Sequence, residues 1–389
     1  MPSSRPVVVT GQQIGAGWTP ALSVVKALAA MVEADRLGAE AVYWMADEDH
    51  DQLEVASVVG FEEGRLKRHR FRFAAPEGTA TGWLPWGAAH QQEAEALWGA
   101  VPKAEGTLRD HALALGAPLW AKGLRAFSPT DPKVRDAIQP ELERWRALPL
   151  ELELIRQAER LETAGGALPL DPRTQASWFA LDPRSGQRKR LEAGEALPKG
   201  QWLSPGAALR PLMQSLLLPV AAAVLGPAER AYWRLTEPLW DKVGLEAPRL
   251  VRRPSAFIVP RGTPISADGL AALRDGDWSA FGHLEAPLPS SRVAGDSDPR
   301  WPEALGRRFE HELARSRARL VKLDRRLQRE AAVGVLGMDP ERLRQRLFPL
   351  GQDQERVLPG LLWLRDAALL DRMEAALRSG DDVVLVEEA

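Results

Sequence analysis

The sequence predicts an α/β fold organised around a parallel sheet, and three observations carry that prediction. Residues 7–46 run strand, glycine turn, helix, strand. Residues 203–259 return to the same apolar texture after a looser middle section. Of the 389 residues, 45% are hydrophobic, which is ample for one large core or for two to three domains.

Residues 7–10, Val-Val-Val-Thr, read as a short buried strand. Gly11, Gln12, Gln13, Ile14, Gly15, Ala16 and Gly17 form a glycine-rich turn after it. Thr19 then suits an N-cap and Pro20 the first helical position, where a missing N–H costs nothing. Leu22, Val25, Leu28, Ala29 and Val32 share one face of the following helix, which stops near Gly38. Residues 41–46 are a second β-prone run. Strand, helix and strand in this order imply parallel pairing with a right-handed crossover. Residues 1–75 are thus read as the first half of the core.

Residues 76–200 carry scattered Pro, Gly and Trp, helical pieces, and a hairpin pattern at 177–181 and 187–191; they are read as an insertion. Residues 201–262 are the second half of the core: an apolar helical stretch at 209–225, a helix at 228–243, and a strand-bearing segment at 249–259. Residues 263–300 are rich in Gly, Pro, Ser and Asp and read as a linker. Residues 301–389 are a helical region with a final strand at 383–386. Within it Leu313, Leu320 and Leu327 recur every seven residues in a charged helix at 302–331, and 354–377 reads as a second helix. The two could pair as an antiparallel coiled coil, or simply be surface helices.

Composition removes several function classes. The formal net charge of -2, with signs well mixed, offers no field for nucleic acid or an anionic membrane. Cysteine is absent, which excludes disulfides, a Cys nucleophile and thiolate metal sites. No signal-peptide h-region opens the chain, and no apolar run reaches about 18 residues, so a cytoplasmic protein without a membrane span is expected. Asparagine is also absent and Arg outnumbers Lys, a pattern that fits either avoidance of thermolabile residues or a GC-rich genome. His69, His90, His111, His283 and His311 show no paired spacing, and no dedicated transition-metal site is expected.

Two stretches invite a functional reading. A strand ending in glycines and opening a helix offers backbone N–H groups and a positive dipole end to an anion. Gly15 and Gly17 are therefore candidates for a phosphate or carboxylate site, or else for a structural turn needing positive φ. The other is Asp47-Glu48-Asp49-His50-Asp51, directly after the second strand. Carboxylates packed this closely repel one another and raise some of their pKa values, unless they form a solvated loop. Both stretches lie at carboxyl ends of strands, where open parallel sheets hold their ligands. Lys26, Arg210, Arg252 or Arg253 could supply the basic complement.

These residues resemble the bacillithiol biosynthesis cysteine-adding enzyme family. The resemblance rests on Val-Val-Thr-Gly-Gln-Gln at 8–13 leading to Pro20 and Lys26, and on Glu48-Asp49-His50-Asp51 after a Tyr-Trp strand. It continues through Leu203-Ser204-Pro205, Leu209-Arg210-Pro211-Leu212-Met213-Gln214, Gly226-Pro227-Ala228-Glu229, Ala231-Tyr232-Trp233, Arg253-Pro254-Ser255 and Gln354-Glu355-Arg356. Asp47 and Leu225 stand where the family usually has glycine.

The resemblance implies a Rossmann-like nucleotidyl-transferase core with connecting-peptide insertions, and a C-terminal α-helical coiled coil that makes a homodimer. It implies a ligase that joins the cysteine carboxyl to the amine of glucosaminyl-malate, with ATP activating the carboxylate and Mg²⁺ held by acidic-run carboxylates. Asp49, His50 and Asp51 are the implied catalytic residues. Thr10, Gly11, Gln12, Gln13, Gly15, Gly17, Lys26, Glu48, Arg210, Gln214, Tyr232, Arg253 and Ser255 are the implied substrate- or nucleotide-binding residues. The competing expectations are a non-catalytic member that binds a nucleotide or thiol metabolite, and a different ligase on the same core.

Overall fold

The computed structural model describes residues 5–62, 65–166, 168–281, 300 and 302–388. The chain divides into two units, one of Met1–Ala256 with Glu355–Val386, the other of Phe257–Gln354 with Glu387–Ala389. The first unit is built on five parallel strands: β1 (Val7–Gln12), β2 (Glu40–Met45), β3 (Arg125–Phe127), β4 (Val220–Leu225) and β5 (Arg249–Arg252). Their order is β5-β4-β1-β2-β3, with β1 central and its backbone paired on both sides. Val-Val-Val suits a strand buried on both faces, and Val7, Val8 and Val9 are at most 1% exposed.

The helix α1 (Leu22–Leu37) connects β1 to β2 and packs on both. Sequence periodicity gave it one apolar face, yet Ser23 to Ala34 are buried all round. The reason is a second layer: α7 (Ala367–Leu377) lies against the outer side of α1. The expected N-cap is displaced. Thr19 ends a short 3₁₀ turn at Ala16–Trp18, and α1 begins at Leu22 after a cis Thr19–Pro20 peptide. Gly38 closes α1 in the left-handed conformation, with φ 61°.

Several expectations change in the structure. The stretch 209–225 is not one helix. It forms α4 (Arg210–Leu217), an extended Leu218 before Pro219, and the strand β4. A residue before proline is pushed out of the α region, and the Ala-rich run that follows is drawn into the sheet beside β1. The stretch 228–243 is interrupted: α5 (Pro227–Trp233) gives way to a 3₁₀ segment carrying Pro238, then to Trp240–Val243. The section read as an insertion supplies β3, the edge strand of the main sheet, and two strands, Trp178–Leu181 and Arg188–Arg190, of a separate antiparallel sheet whose third strand, Trp202–Pro205, comes from the stretch read as the second half of the core. Between β2 and this sheet lie α2 (Gln52–Ala56) and a hairpin of Ser57–Glu62 with Arg65–Arg70. The helix α3 (Pro132–Arg146) follows β3.

In the second unit, residues read as linker contain a helix, Ala267–Asp275, while 282–299 lie outside the described residues. The long helix α6 (Glu303–Leu336) is present and ends at Gly337 with φ 70°. The expected second long helix at 354–377, which belongs to the first unit from Glu355 onward, is broken by Pro359 and Gly360 into Gln354–Val357, Leu361–Leu364 and α7. The packing partner of α7 is α1. A strand at Val383–Glu387 follows. Among the described residues no helix is long and apolar enough to cross a membrane.

Candidate functional site

The carboxyl end of β1 opens into a crevice of ≈ 270 Å³. Thr10, Gly11, Gln12 and Gln13 from β1 and its extension form one wall, with Trp44 of β2 and Asp49 beyond its end. Arg210 and Gln214 from α4, Glu229 and Tyr232 from α5, and Glu54 from α2 complete it. The topology puts it there: β4, β1 and β2 are neighbours, and α4 and α5 flank β4 in sequence. Gly11 is required by close strand approach, because a Cβ there would meet the Trp44 carbonyl oxygen at 2.5 Å.

Three polar atoms in this lining have no partner among the described residues. They are Gln13 Oε1, Gln214 Oε1 and Trp44 Nε1, all buried. A buried polar group left unpaired costs about 1–3 kcal/mol, so three of them on residues of one cavity lining favour a polar ligand there. Arg210 is the cation of the lining. Its Nη1 lies 2.7 Å from Asp49 Oδ2, and its Nε 3.5 Å from Glu48 Oε1.

The acidic run divides between levels. Asp47 and Glu48 are fully buried beneath the crevice. Glu48 Oε2 is 2.9 Å from Arg135 Nη2 on α3 and accepts from Ser204 Oγ at 2.9 Å. Burial opposes its charge, but Arg135, Arg210 and Arg188 together hold its pKa below the usual range. The same holds for Asp49, where burial is outweighed by Arg210 and Arg188. Asp47 differs from these two: its pKa rises to about 6, chiefly through burial, with the neighbouring Glu48 charge the smallest contribution. Ser128 Oγ and Thr130 Oγ1 donate to its Oδ2 at 2.5 and 3.0 Å, with Arg109 Nη1 at 3.4 Å. The expected mutual repulsion is therefore mostly absent, because distant segments bring an arginine to nearly every carboxylate.

His50 and Asp51 stand apart from the crevice lining. Arg188 Nη1 donates to His50 Nδ1 at 3.0 Å, which occupies that lone pair and leaves the proton of a neutral ring on Nε2. Burial and Arg188 also depress the His50 pKa. Both facts work against His50 as the expected proton acceptor. Asp51 is the N-cap of α2, accepting from the Glu54 amide at 3.0 Å. Asp49 keeps its charge in the bond with Arg210, which makes it a weak base.

The glycine turn is spent on structure. Gly15, Ala16, Gly17 and Trp18 are not part of the lining and are packed inside; the Gly17 amide donates to His111 Nε2 at 3.3 Å. Gly17 has φ 67°, and a Cβ on it would lie 2.7 Å from the Trp98 ring. The start of α1 is covered too, with the Ala21 amide bonded to the Leu358 carbonyl at 2.8 Å. Gly15 and Gly17, where a phosphate cradle was expected, are thus buried and lie outside the crevice lining.

Lys26 and Arg253 lie behind the crevice. Lys26 is fully buried, hydrogen-bonded to the Gly11 carbonyl, to Gln12 Oε1 at 3.1 Å and to Glu229 at 2.7 Å. Burial lowers its pKa, and Glu229 partly offsets that. It holds the crevice wall and does not reach into the cavity. Arg253 pairs with Glu355 at 2.8 Å, and the Ser255 amide bonds the Asp382 carbonyl; neither residue faces the cavity. Of the implied binding residues, then, Thr10, Gly11, Gln12, Gln13, Arg210, Gln214 and Tyr232 converge on the crevice with Asp49.

The residues that sequence reading missed are Glu54, Glu229 and the arginines 109, 135 and 188. Asp51-Gln52-Leu53-Glu54 has the spacing of a capping box and would have flagged Glu54. The arginines carry no local signal. Among the described residues no group of three or more His, Cys, Asp or Glu side chains is arranged to hold a metal ion.

A family model described as "Bacillithiol biosynthesis BshC, N-terminal Rossmann-like domain" matches residues 3–114 and 173–254. Two proteins named "Putative cysteine ligase BshC", from two strains of Thermus thermophilus, are each 31% identical over 95% of this chain and 86% of their own length. One of the same name from Halalkalibacterium halodurans is 28% identical over 65% of this chain and 55% of its own.

Proposed function

The chain belongs to the BshC family of bacillithiol biosynthesis, and from that premise we propose that it is a ligase joining the carboxyl of cysteine to the amine of glucosaminyl-malate. The observation that carries the reading is the crevice itself. It pairs one cation, Arg210, with the carboxylates Asp49, Glu54 and Glu229, and adds three unpartnered polar atoms. That set complements a small zwitterion, and ≈ 270 Å³ lies near the small end of ligand sites, which span roughly 300–1,000 Å³.

In this reading Arg210 attracts the cysteine carboxylate, while Asp49 and Glu229 face its ammonium group. Gln13, Gln214 and Trp44 fix its orientation by the hydrogen bonds they lack in the free protein. Lys26 keeps Gln12 and Glu229 in place from below. Amide formation from a free carboxylate is uphill in water, so ATP, with Mg²⁺, supplies the activation. The buried Gly15 and Gly17 are not part of that binding site in this reading.

Purified protein incubated with ATP, Mg²⁺, cysteine and glucosaminyl-malate should yield bacillithiol by mass spectrometry, with a dependence on each component. Cysteine binding without product would instead favour a non-catalytic member. We also propose a homodimer through α6. Its Leu305, Val321, Leu323, Val333 and Val335 are each at least 38% exposed, an apolar load that a second copy would cover. Light scattering should give twice the 42.8 kDa chain mass; a monomer would remove the dimer.

A further inference from the structure

Three carboxylates line the crevice, and two of them are already engaged. Asp49 is held by Arg210 at 2.7 Å. Glu229 is held by Lys26 at 2.7 Å, and its other oxygen accepts from the Gly226 amide at 2.7 Å. Glu54 differs: among the described residues no cation pairs with its carboxylate, although it faces the same cavity.

Its placement is fixed by local structure. Asp51 caps α2 by accepting from the Glu54 amide, so the first turn of that short helix presents Glu54 to the cavity beside Asp49. Partial burial raises the proton affinity of Glu54, and the charges of Asp51 and Asp49 raise it further. Arg210 and Glu229 line the same cavity. A base held in an ion pair with arginine is weakened, whereas one surrounded by other carboxylates is strengthened.

We propose that Glu54 is the catalytic proton acceptor for the attacking amine, an inference that rests on the ligase reading above. The incoming sugar amine arrives as an ammonium ion, which has no lone pair to attack with. Glu54 first pairs with it and then takes one proton. The freed nitrogen forms the C–N bond to the activated cysteine carbonyl. The bond from that carbon to the activating oxygen breaks, and the oxygen leaves with its electron pair. The second nitrogen proton passes to water at the open mouth.

The test compares wild type, Glu54→Gln and Glu54→Asp in steady-state bacillithiol synthesis between pH 5 and 9. Glu54→Gln should lower kcat by roughly 10²–10⁴-fold with the cysteine KM changed little. Glu54→Asp keeps a carboxylate and should fall between. The wild-type loss of rate on acidification should vanish in Glu54→Gln. If Glu54→Gln turns over within about threefold of wild type, or only raises KM, Glu54 is not the base. Because the side chain is only partly covered and packs in no hydrophobic core, neither change should unfold the chain, and thermal melts check this; Glu54→Asp decides if the Gln variant melts early. A wild-type protein that makes no bacillithiol sinks the ligase reading, and this inference with it.

Discussion

The glycine-rich run at 11–17 and the acidic run at 47–51 look alike in sequence. Each follows a strand of one parallel sheet, and each has the composition of a ligand-binding loop. The structure divides both in the same way. Gly11, Gln12 and Gln13 line the crevice, while Gly15 to Trp18 are packed inside. Asp49 lines it too, while Asp47 and Glu48 sink beneath and Asp51 caps a helix. Proximity to a strand end is thus not enough. What separates ligand-facing from structural residues is whether the side chain opens on the cavity or is buried behind it.

The largest expected effect breaks the compensation beneath the crevice. Arg135→Met should destabilise by about 3–5 kcal/mol in urea unfolding, because it leaves Glu48 buried without its closest cation. A loss below about 1 kcal/mol would mean that Arg210 and Ser204 suffice.

Asp47 offers the opposite case, a buried acid that is under-compensated. Its pKa rises from 3.8 to about 6 in the folded chain. A raised carboxyl contributes stability that is present below about pH 4 and lost as pH rises through 6. Asp47→Asn has no such dependence. It should therefore be more stable than wild type at pH 8, by at most about 3 kcal/mol, and the gap should shrink toward pH 5. A constant gap would show that Asp47 does not titrate in this range.

Gly17→Ala sharpens the glycine half. With φ 67° and Trp98 adjacent, it should cost about 1–3 kcal/mol in a thermal melt. It should leave ligand binding unchanged.

Much of the fold was legible. The Val-rich β1, the periodic α1 and the β2 run are local patterns, and the seven-residue leucine spacing marked the long helix. The strand β4 was not legible. Val-Ala-Ala-Ala-Val-Leu has good helix propensity, and only pairing with β1 and β5 makes it extended. The edge strand β3 is too short to leave a pattern. For the site, the resemblance brought Gln12, Gln13, Asp49, Arg210, Gln214 and Tyr232 together. It could not reveal that Arg188, far along the chain, takes the lone pair of His50. Charge compensation in a core depends on tertiary neighbours, and five consecutive letters do not encode them.

The central claim is that the crevice at the end of β1, and not the glycine turn, receives the substrate. Calorimetry of L-cysteine binding to wild type, Gln214→Leu and Gly17→Ala tests it most directly. Gln214→Leu removes one ligand hydrogen bond and should weaken binding about tenfold, while Gly17→Ala stays within about twofold. Unchanged binding in Gln214→Leu together with lost binding in a folded Gly17→Ala protein would contradict the account.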